Sequence, residues 1–142
     1  MDSIIASVHP EWWGKIKIRE KWIEVRKSIP LRIGRMPFRI IWYVTGGVGV
    51  AGDSVCNGFI NAEPDYSQLL VGSCLTPEQL MAYGNGNMLH GWVLEETTDY
   101  EKPIPLSEIG IKRPPQSWRY FSHRQKGRTY DNNKNQKMEP RI

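Results

Sequence analysis

Residues 20–27 read Glu20-Lys21-Trp22-Ile23-Glu24-Val25-Arg26-Lys27, an alternation of bulky apolar and charged residues. Because successive side chains of a β-strand point to opposite faces, this pattern predicts a strand over residues 21–27. One face would carry Trp22, Glu24 and Arg26, and the other would carry Lys21, Ile23, Val25 and Lys27. Glu24 and Arg26 then lie about 7 Å apart along the strand. This arrangement indicates a polar site for a planar, hydrogen-bonding ligand. The alternative is a solvated strand face with a surface ion pair of little energetic value.

Length and composition fit one domain followed by a tail. We expect a domain over residues 1–121 and a mobile basic tail over residues 122–142, since the tail has almost no aliphatic residues with which to offset the entropy of ordering. Cys56 and Cys74 are too few for a disulfide framework and have no metal-ligand spacing, so we expect two buried reduced thiols and no metal. The sequence shows neither a signal peptide nor a membrane-spanning apolar run, which favours a cytoplasmic protein without a membrane partner.

Charge is segregated along the chain. Residues 1–39 hold nine Lys and Arg against four acidic residues, residues 40–109 hold one against nine, and residues 110–142 hold nine against two. Basic ends around an acidic middle fit a chain whose ends meet on one face and attract a polyanion, because clustered Lys and Arg supply the sequence-independent part of nucleic-acid affinity. The alternative is that the acidic middle neutralises the basic segments within the fold.

The remaining pattern predicts a mainly β structure. Runs of β-branched and aromatic residues indicate strands over residues 3–8, 38–45, 54–60, 88–97 and 116–121. One helix is predicted after Pro10. A second is predicted after Thr76, where Gln79 completes a capping box and Gly84 is the expected stop.

The connections between these elements carry turn and loop signals. The glycine-rich stretch 46–52 lacks the spacing of phosphate-binding and dinucleotide-binding loops, so it is interpreted as a hairpin connection and implies no cofactor. Residues 61–73 are expected to be irregular. Four prolines between residues 100 and 115 predict an extended crossing over the rim of the domain, in which Ser117 holds the chain through side-chain-to-backbone bonds.

Several aromatic and polar residues are candidates for reading a nucleobase. Unstacked RNA bases are bound by aromatic or guanidinium planes and by hydrogen-bond partners at their edges. The candidate platforms are Trp22, Tyr43, Trp118 and Tyr120, and the candidate edge or phosphate contacts are Lys21, Glu24, Arg26, Lys27, Arg113 and Gln116. The alternative for the aromatic residues is core packing, since most of the six tryptophans must be buried in so small a domain. Trp42 and Trp92, on the most apolar strands, are assigned to the core.

Four segments in this order resemble the ASCH domain family, and especially its small single-domain members from phages and prophages. They are Glu20-Lys21-x-Ile23-Glu24-x-Arg26-Lys27, Trp42-Tyr43-Val44-Thr45, Gly91-Trp92, and the ending from Pro103-Ile104-Pro105-Leu106-Ser107 to Arg113-Pro114-Pro115-Gln116-Ser117-Trp118. The resemblance spans the chain from Ile4 to Phe121. It implies an α+β, mainly β fold of the PUA-like superfamily, a small β-barrel with one or two helices beside a cleft. It also implies binding of RNA, and some relatives are ribonucleases or amidohydrolases acting on acylated cytidine.

The resemblance gives individual residues different degrees of support. Lys21 matches the motif lysine that activates a neighbouring nucleophile in the hydrolase relatives, and Arg26 matches the arginine that lines the cleft. Glu24 stands where those hydrolases have a threonine nucleophile, and a carboxylate cannot perform the same hydroxyl attack. A general base or an acceptor for a base edge are the roles left open to Glu24. Arg19 replaces the usual glycine before the motif.

Three functions follow from these observations. The first is a module that binds RNA, a nucleotide or a nucleoside, with Lys21, Glu24 and Arg26 reachable from solvent at the mouth of a small barrel, near the strand that contains Trp118. The second is a hydrolase, either a ribonuclease or an acylated-nucleoside amidohydrolase, that uses Lys21 and Glu24 as an acid/base pair. The third is an accessory protein with a protein partner, for which the sequence gives no positive sign.

Overall fold

The computed structural model describes residues 1–122, which form one curled six-stranded sheet with helices around it. In chain order the elements are β1 (Ser3–Val8), α1 (Pro10–Lys17), β2 (Ile23–Arg26), β3 (Phe38–Val44), β4 (Gly49–Ala62), α2 (Leu70–Ser73), α3 (Pro77–Gly84), β5 (Leu89–Ile104) and β6 (Trp118–Phe121). The strand order is β2-β5-β4-β3-β1-β6. β1 runs parallel to β3, and the other neighbouring pairs are antiparallel. The expected α+β, mainly β class is confirmed.

Local signals account for the elements near the start of the chain and for α3. Every residue of β1 is buried, as befits a strand with neighbours on both sides. α1 begins with a proline, whose missing N–H costs nothing at that position. The predicted capping box is present, because the Gln79 N–H donates to Thr76 Oγ1 and the Thr76 N–H donates to Gln79 Oε1. Gly84 is the last helical residue, and Asn85 ends α3 in the left-handed conformation.

Several expected boundaries are wrong. β4 covers Gly49–Ala62 rather than residues 54–60, so it includes part of the glycine-rich stretch that was expected to be a hairpin connection. β2 covers Ile23–Arg26 rather than residues 21–27. The stretch expected to be irregular contains a 3-10 turn over Ser67–Leu69 followed by α2. The extended crossing begins later than expected, because Val50 of β4 pairs with Ile104 and this pairing extends β5 past residue 103.

β2 and β6 are the two ends of the strand order, and the sheet curls until their side chains meet. Arg26 on β2 donates to the carbonyl oxygens of Ser7 and Ser117, and the Arg32 backbone N–H donates to Tyr120 Oη. Within residues 1–122 no backbone ladder joins β2 to β6, so the two ends of the curled sheet are bridged by hydrogen bonds that involve side chains. We call this junction the closing seam, with residues 26–32 on one side and residues 117–120 on the other.

The core lies inside the curl. Trp42 and Trp92 are fully buried there, which confirms their assignment, and Trp118 packs edge-on against Trp92 at 6.0 Å between ring centroids. The indole N–H groups of Trp92 and Trp118 donate to the Ser28 carbonyl oxygen and hydroxyl respectively. The residue that follows β2 by two positions therefore satisfies two buried aromatic donors beside the closing seam.

Other expectations concern the cysteines, the membrane and the tail. Cys56 is buried, and burial raises the pKa of its thiol to about 11, whereas Cys74 is only half-buried, contrary to expectation.

Among residues 1–122, no helix has the length and apolar character needed to cross a membrane, and no cluster of His, Cys, Asp and Glu is arranged to hold a metal ion. Residues 123–142 of the predicted tail lie outside the described residues, so the division at residue 121 stays a prediction.

Candidate functional site

Lys21 and Arg26 both contact the carboxylate of Glu24. Arg26 donates from Nη2 and Nε to Glu24 Oε2, at 2.6 and 2.9 Å. Lys21 Nζ lies 3.5 Å from the other carboxylate oxygen, Glu24 Oε1. The side-by-side placement of Glu24 and Arg26 agrees with the alternation of the sequence. We call these three side chains the buried ion cluster.

Lys21 belongs to this cluster because it precedes the strand. β2 begins at Ile23, so the alternation that would place Lys21 with Ile23 and Val25 does not apply to it, and that expectation is wrong. Lys21 Nζ donates to the carbonyl oxygen of Ser73 at 2.5 Å and lies 5.2 Å from the centroid of the Trp12 ring. α1 and α2 thus hold the ammonium group from two sides.

Arg26 has no N–H group left for a ligand. Nη1 donates to the carbonyl oxygen and hydroxyl of Ser117, at 3.1 and 2.9 Å, and Nη2 donates to the Ser7 carbonyl oxygen at 2.7 Å. Together with the two bonds to Glu24, these contacts use all five N–H donors of a guanidinium group. Arg26 therefore joins β2 to the residues before β6 and to β1.

The cluster is closed to solvent. Lys21, Glu24 and Arg26 are each only 1 % exposed to solvent. The expectation that they are reachable at a barrel mouth is wrong, and so is the alternative of a surface ion pair. Their covering comes from Ser7, Ser73 and Ser117, which are distant in the sequence from β2.

Burial and charge act in opposite directions on the ionisable groups of the cluster. Burial lowers the pKa of Lys21 below its ordinary value, although the nearby Glu24 carboxylate opposes this shift. For Glu24, burial alone would raise the pKa, but the charges of Arg26 and Lys21 and the hydrogen bonds from Arg26 outweigh it, so the pKa lies below its ordinary value. The carboxylate is therefore ionised between two basic groups. Glu24 Oε1 accepts no hydrogen bond from the described residues and has Lys21 as its ion-pair partner.

The other predicted residues do not share one pocket with the cluster. Trp22 is 40 % exposed and its ring packs against Gly72, where a Cβ atom would lie 2.5 Å from the indole. Lys27 is exposed, with Nζ 4.8 Å from the centroid of the Tyr83 ring. Tyr43 packs with a second apolar cluster, around Ile5 and Ile41 rather than around Trp92.

The predicted residues near β6 differ in exposure. Trp118 is fully buried, as the core-packing alternative predicts. Arg113 and Gln116 are exposed, and Tyr120 is half-buried. The hydroxyl and carbonyl oxygens of Ser117 both accept hydrogen bonds from Arg26, while its expected side-chain-to-backbone bonds stay a prediction.

Arg32 completes an exposed stack that the sequence prediction did not include. Its guanidinium carbon lies 4.3 Å from the centroid of the Tyr120 ring, and Tyr120 packs edge-on against Trp118 at 5.2 Å. A signal for this residue was present, since residues 25–52 contain five basic residues and no acidic one. Residues 109–122 hold three more basic residues, again with no acid, and the two segments meet at the closing seam. We call the exposed and half-exposed polar residues flanking it the seam surface: Lys27, Arg32, Arg113, Gln116 and Tyr120.

The fold is similar to solved structures of one bacterial protein. No protein-family model and no curated protein matches the chain. An ASCH protein from Zymomonas mobilis is 25 % identical, with 87 % of this chain and 92 % of that chain covered and a TM-score of 0.75.

Two variants of that protein give the same result. A Ser→Ala variant matches with the same identity, coverage and TM-score. A Tyr→Phe variant is 24 % identical over 89 % of this chain and 96 % of that chain, with a TM-score of 0.75. The phage origin stays a prediction. The likeness runs through nearly the whole of both chains and agrees with the motif around Lys21, Glu24 and Arg26, and it supports the predicted membership of the ASCH domain family.

Proposed function

We propose that this protein is an RNA-binding module whose contact surface is the seam surface, with the buried ion cluster as its structural support. The observation that carries the proposal is the Arg32–Tyr120 stack, which lies at the junction of the two acid-free basic segments. The ASCH family, whose members are proposed to bind RNA, supports the same class of ligand. The seam surface is assigned to RNA contact, and the buried residues Lys21, Glu24 and Arg26 are assigned to stabilising the fold.

The stack has the chemistry needed to receive a base. A guanidinium plane lying on a tyrosine ring has a second face, and a base can stack on that face because every base has a π surface. The backbone N–H of Arg32 donates a hydrogen bond to Tyr120 Oη, which fixes the two residues relative to each other. Such a platform selects single-stranded segments, in which bases are free to leave the stack.

The neighbouring charges suit phosphates. Lys27 and Arg113 are exposed and belong to the two segments that meet at the seam, and neither segment contains an acidic residue. Lys and Arg that neutralise phosphates release condensed counterions, so binding is expected to weaken steeply with salt. Gln116 is exposed and precedes Ser117 of the seam, and an amide side chain is of the type that contacts base edges.

The test is binding of a fluorescently labelled single-stranded RNA, measured by anisotropy at low salt and again at increasing salt. We expect binding that Arg32→Ala and Tyr120→Ala each weaken. Lys102→Ala serves as the control, because it removes an exposed positive charge from β5, in the acidic part of the chain. Absence of binding at low salt, or equal effects of Arg32→Ala and Lys102→Ala, would contradict the proposal.

One observation favours a hydrolase as the second candidate function. Burial lowers the pKa of Lys21, so its ammonium group gives up a proton more readily than that of an exposed lysine, and it lies 3.5 Å from the ionised Glu24 carboxylate. A substrate would have to displace the groups that cover the cluster before reaching either residue. Incubation of the protein with RNA and with acylated nucleosides tests this candidate, with Lys21→Met as the control that keeps an unbranched side chain. Turnover lost in a folded Lys21→Met variant would support the hydrolase, and absence of turnover in the unsubstituted protein would remove it.

A further inference from the structure

A second concave region lies away from the seam, between α1 and the strands β4 and β5. It is a cavity of about 420 Å³, within the size range of small-molecule sites. On the helix side it is lined by Pro10, Trp13, Gly14 and Lys17, whose spacing places them on one face of α1. Trp12, the preceding tryptophan, instead lies over Lys21 of the buried ion cluster.

The inner wall of the cavity is apolar and its indole is fixed in place. Trp13 is 5 % exposed and packs over Gly52, where a Cβ atom would lie 2.5 Å from the ring. Val44 and Ala51, both buried, complete this wall. The glycine leaves room for the indole, so a small exposed part of a fixed indole ring lines the cavity.

Tyr100 forms part of the opposite wall, and its hydroxyl is already committed. It donates to Asp53 Oδ2 at 2.5 Å. Burial raises the pKa of Tyr100, and the hydrogen bond and charge of Asp53 raise it further. The phenol therefore stays neutral. Its O–H group donates to Asp53 and so cannot donate to a bound anion.

The polar residues of the cavity carry excess negative charge. Asp99 and Glu101 on β5 oppose a single cation, Lys17. Lys17 Nζ lies 4.0 Å from Asp99 Oδ2, with both side chains substantially exposed, so this pair is loose and weak. An anion entering the cavity would meet two carboxylates and one ammonium group, whereas a cation gains from both the carboxylates and the indole ring.

We propose that this cavity binds a small organic cation of the alkylammonium or guanidinium class, with Glu101 and Asp99 as counter-charges and Trp13 as the aromatic wall. The site is separate from the seam surface and does not depend on RNA binding. A quaternary ammonium or guanidinium group is weakly hydrated and planar or compact enough to lie against an indole, which is the arrangement that cation–π recognition requires.

Choline and its neutral isostere 3,3-dimethylbutan-1-ol provide the test. The readout is the indole N–H signal of Trp13 in a ¹H–¹⁵N spectrum of the full chain, identified by its loss in Trp13→Phe. We expect choline to shift this signal, and the neutral isostere to do so at least about tenfold more weakly. Equal effects of the two compounds would show an unselective apolar cavity and overturn the proposal, as would no shift at about 50 mM choline.

Two matched variants locate the counter-charge. Glu101→Gln is expected to weaken choline binding about threefold or more. Glu96→Gln removes the same charge from an exposed position on the same strand, outside the cavity lining, and is expected to leave choline binding unchanged. Equal losses in the two variants would show that choline responds only to the general negative field, and would overturn the assignment of the cavity. Salt-dependent binding of RNA, measured in parallel, is expected to be the same in both variants.

Discussion

Arg26 and Arg32 lie six residues apart on the same side of the closing seam, yet their environments are opposite. Arg26 is buried, and all five of its N–H groups donate to Glu24, Ser7 and Ser117. Arg32 is exposed and rests on the Tyr120 ring. The comparison teaches that the guanidinium inside the motif links the two sides of the closing seam, while the one outside the motif is exposed to solvent.

The energies of the two sites differ accordingly. Removing one partner of a buried ion pair leaves an uncompensated charge in the protein interior, at a cost of about 3–5 kcal/mol. An exposed cation on an aromatic ring contributes only about 0.5–1 kcal/mol. Substitutions at Arg26 should therefore change stability, and substitutions at Arg32 should change binding.

The largest expected effect comes from Arg26→Ala. We expect the free energy of unfolding to fall by about 3–5 kcal/mol, because Glu24 stays buried without its main partner and the closing seam loses its cross-link. Urea unfolding followed by tryptophan fluorescence measures the change. Arg32→Ala is the control, with an expected loss below about 1 kcal/mol. If Arg26→Ala does not fold, Arg26→Lys keeps the charge without the five-donor fork and should still be less stable than Arg32→Ala.

Tyr120→Ala is expected to have the next largest effect, on RNA affinity rather than on the cluster. Loss of a stacking platform costs about 1–3 kcal/mol per base. Anisotropy titrations with single-stranded RNA measure this loss. Tyr43→Ala is the comparison, since Tyr43 was an equally good candidate in the sequence but packs with the second apolar cluster. An equal loss of affinity in Tyr43→Ala would contradict the assignment of the contact surface.

The acid stability of the protein should depend on Glu24. The pKa of this carboxyl is lower in the folded state than its ordinary value of 4.5, so the unfolded chain takes up the proton first as the pH falls. The contribution of Glu24 to stability is complete above that value and is lost as the pH falls through the lower pKa of the folded state. Urea unfolding from pH 7 to pH 3 should show a shallower fall for Glu24→Gln, whose neutral amide cannot titrate. Identical pH profiles for the two proteins would show that protonation of Glu24 does not contribute to the loss of stability at low pH.

The smallest expected effect is on the salt dependence of RNA binding. Arg113→Ala should reduce the slope of log affinity against log salt concentration by about 1, because one phosphate-neutralising charge is lost. Arg113→Lys keeps the positive charge and should keep this slope. A slope unchanged in Arg113→Ala would mean that Arg113 does not neutralise a phosphate.

The sequence predicts what depends on neighbours in the chain. The capping box of α3, the proline at the start of α1 and the adjacency of Glu24 and Arg26 are all local patterns, and the structure contains each of them. It also indicated the ASCH family through motifs that keep their order.

What the sequence did not predict depends on distant partners. Ser73 and Ser117, which help to bury the cluster, lie 52 and 91 residues from the side chains they contact. Alternation in residues 21–27 describes the two faces of a strand but cannot show that both are covered. Arg32 was missed because its partner Tyr120 lies 88 residues away, although the acid-free run around it was visible.

A titration of the ¹⁵N-labelled protein with single-stranded RNA, followed through the arginine Nε–Hε signals, tests the division between the two arginines most directly. We predict that the Arg32 signal shifts as RNA binds, while the Arg26 signal stays in place and exchanges slowly with solvent. A shift of Arg26 with no change at Arg32 would contradict the account, because it would show that the motif arginine opens to the ligand.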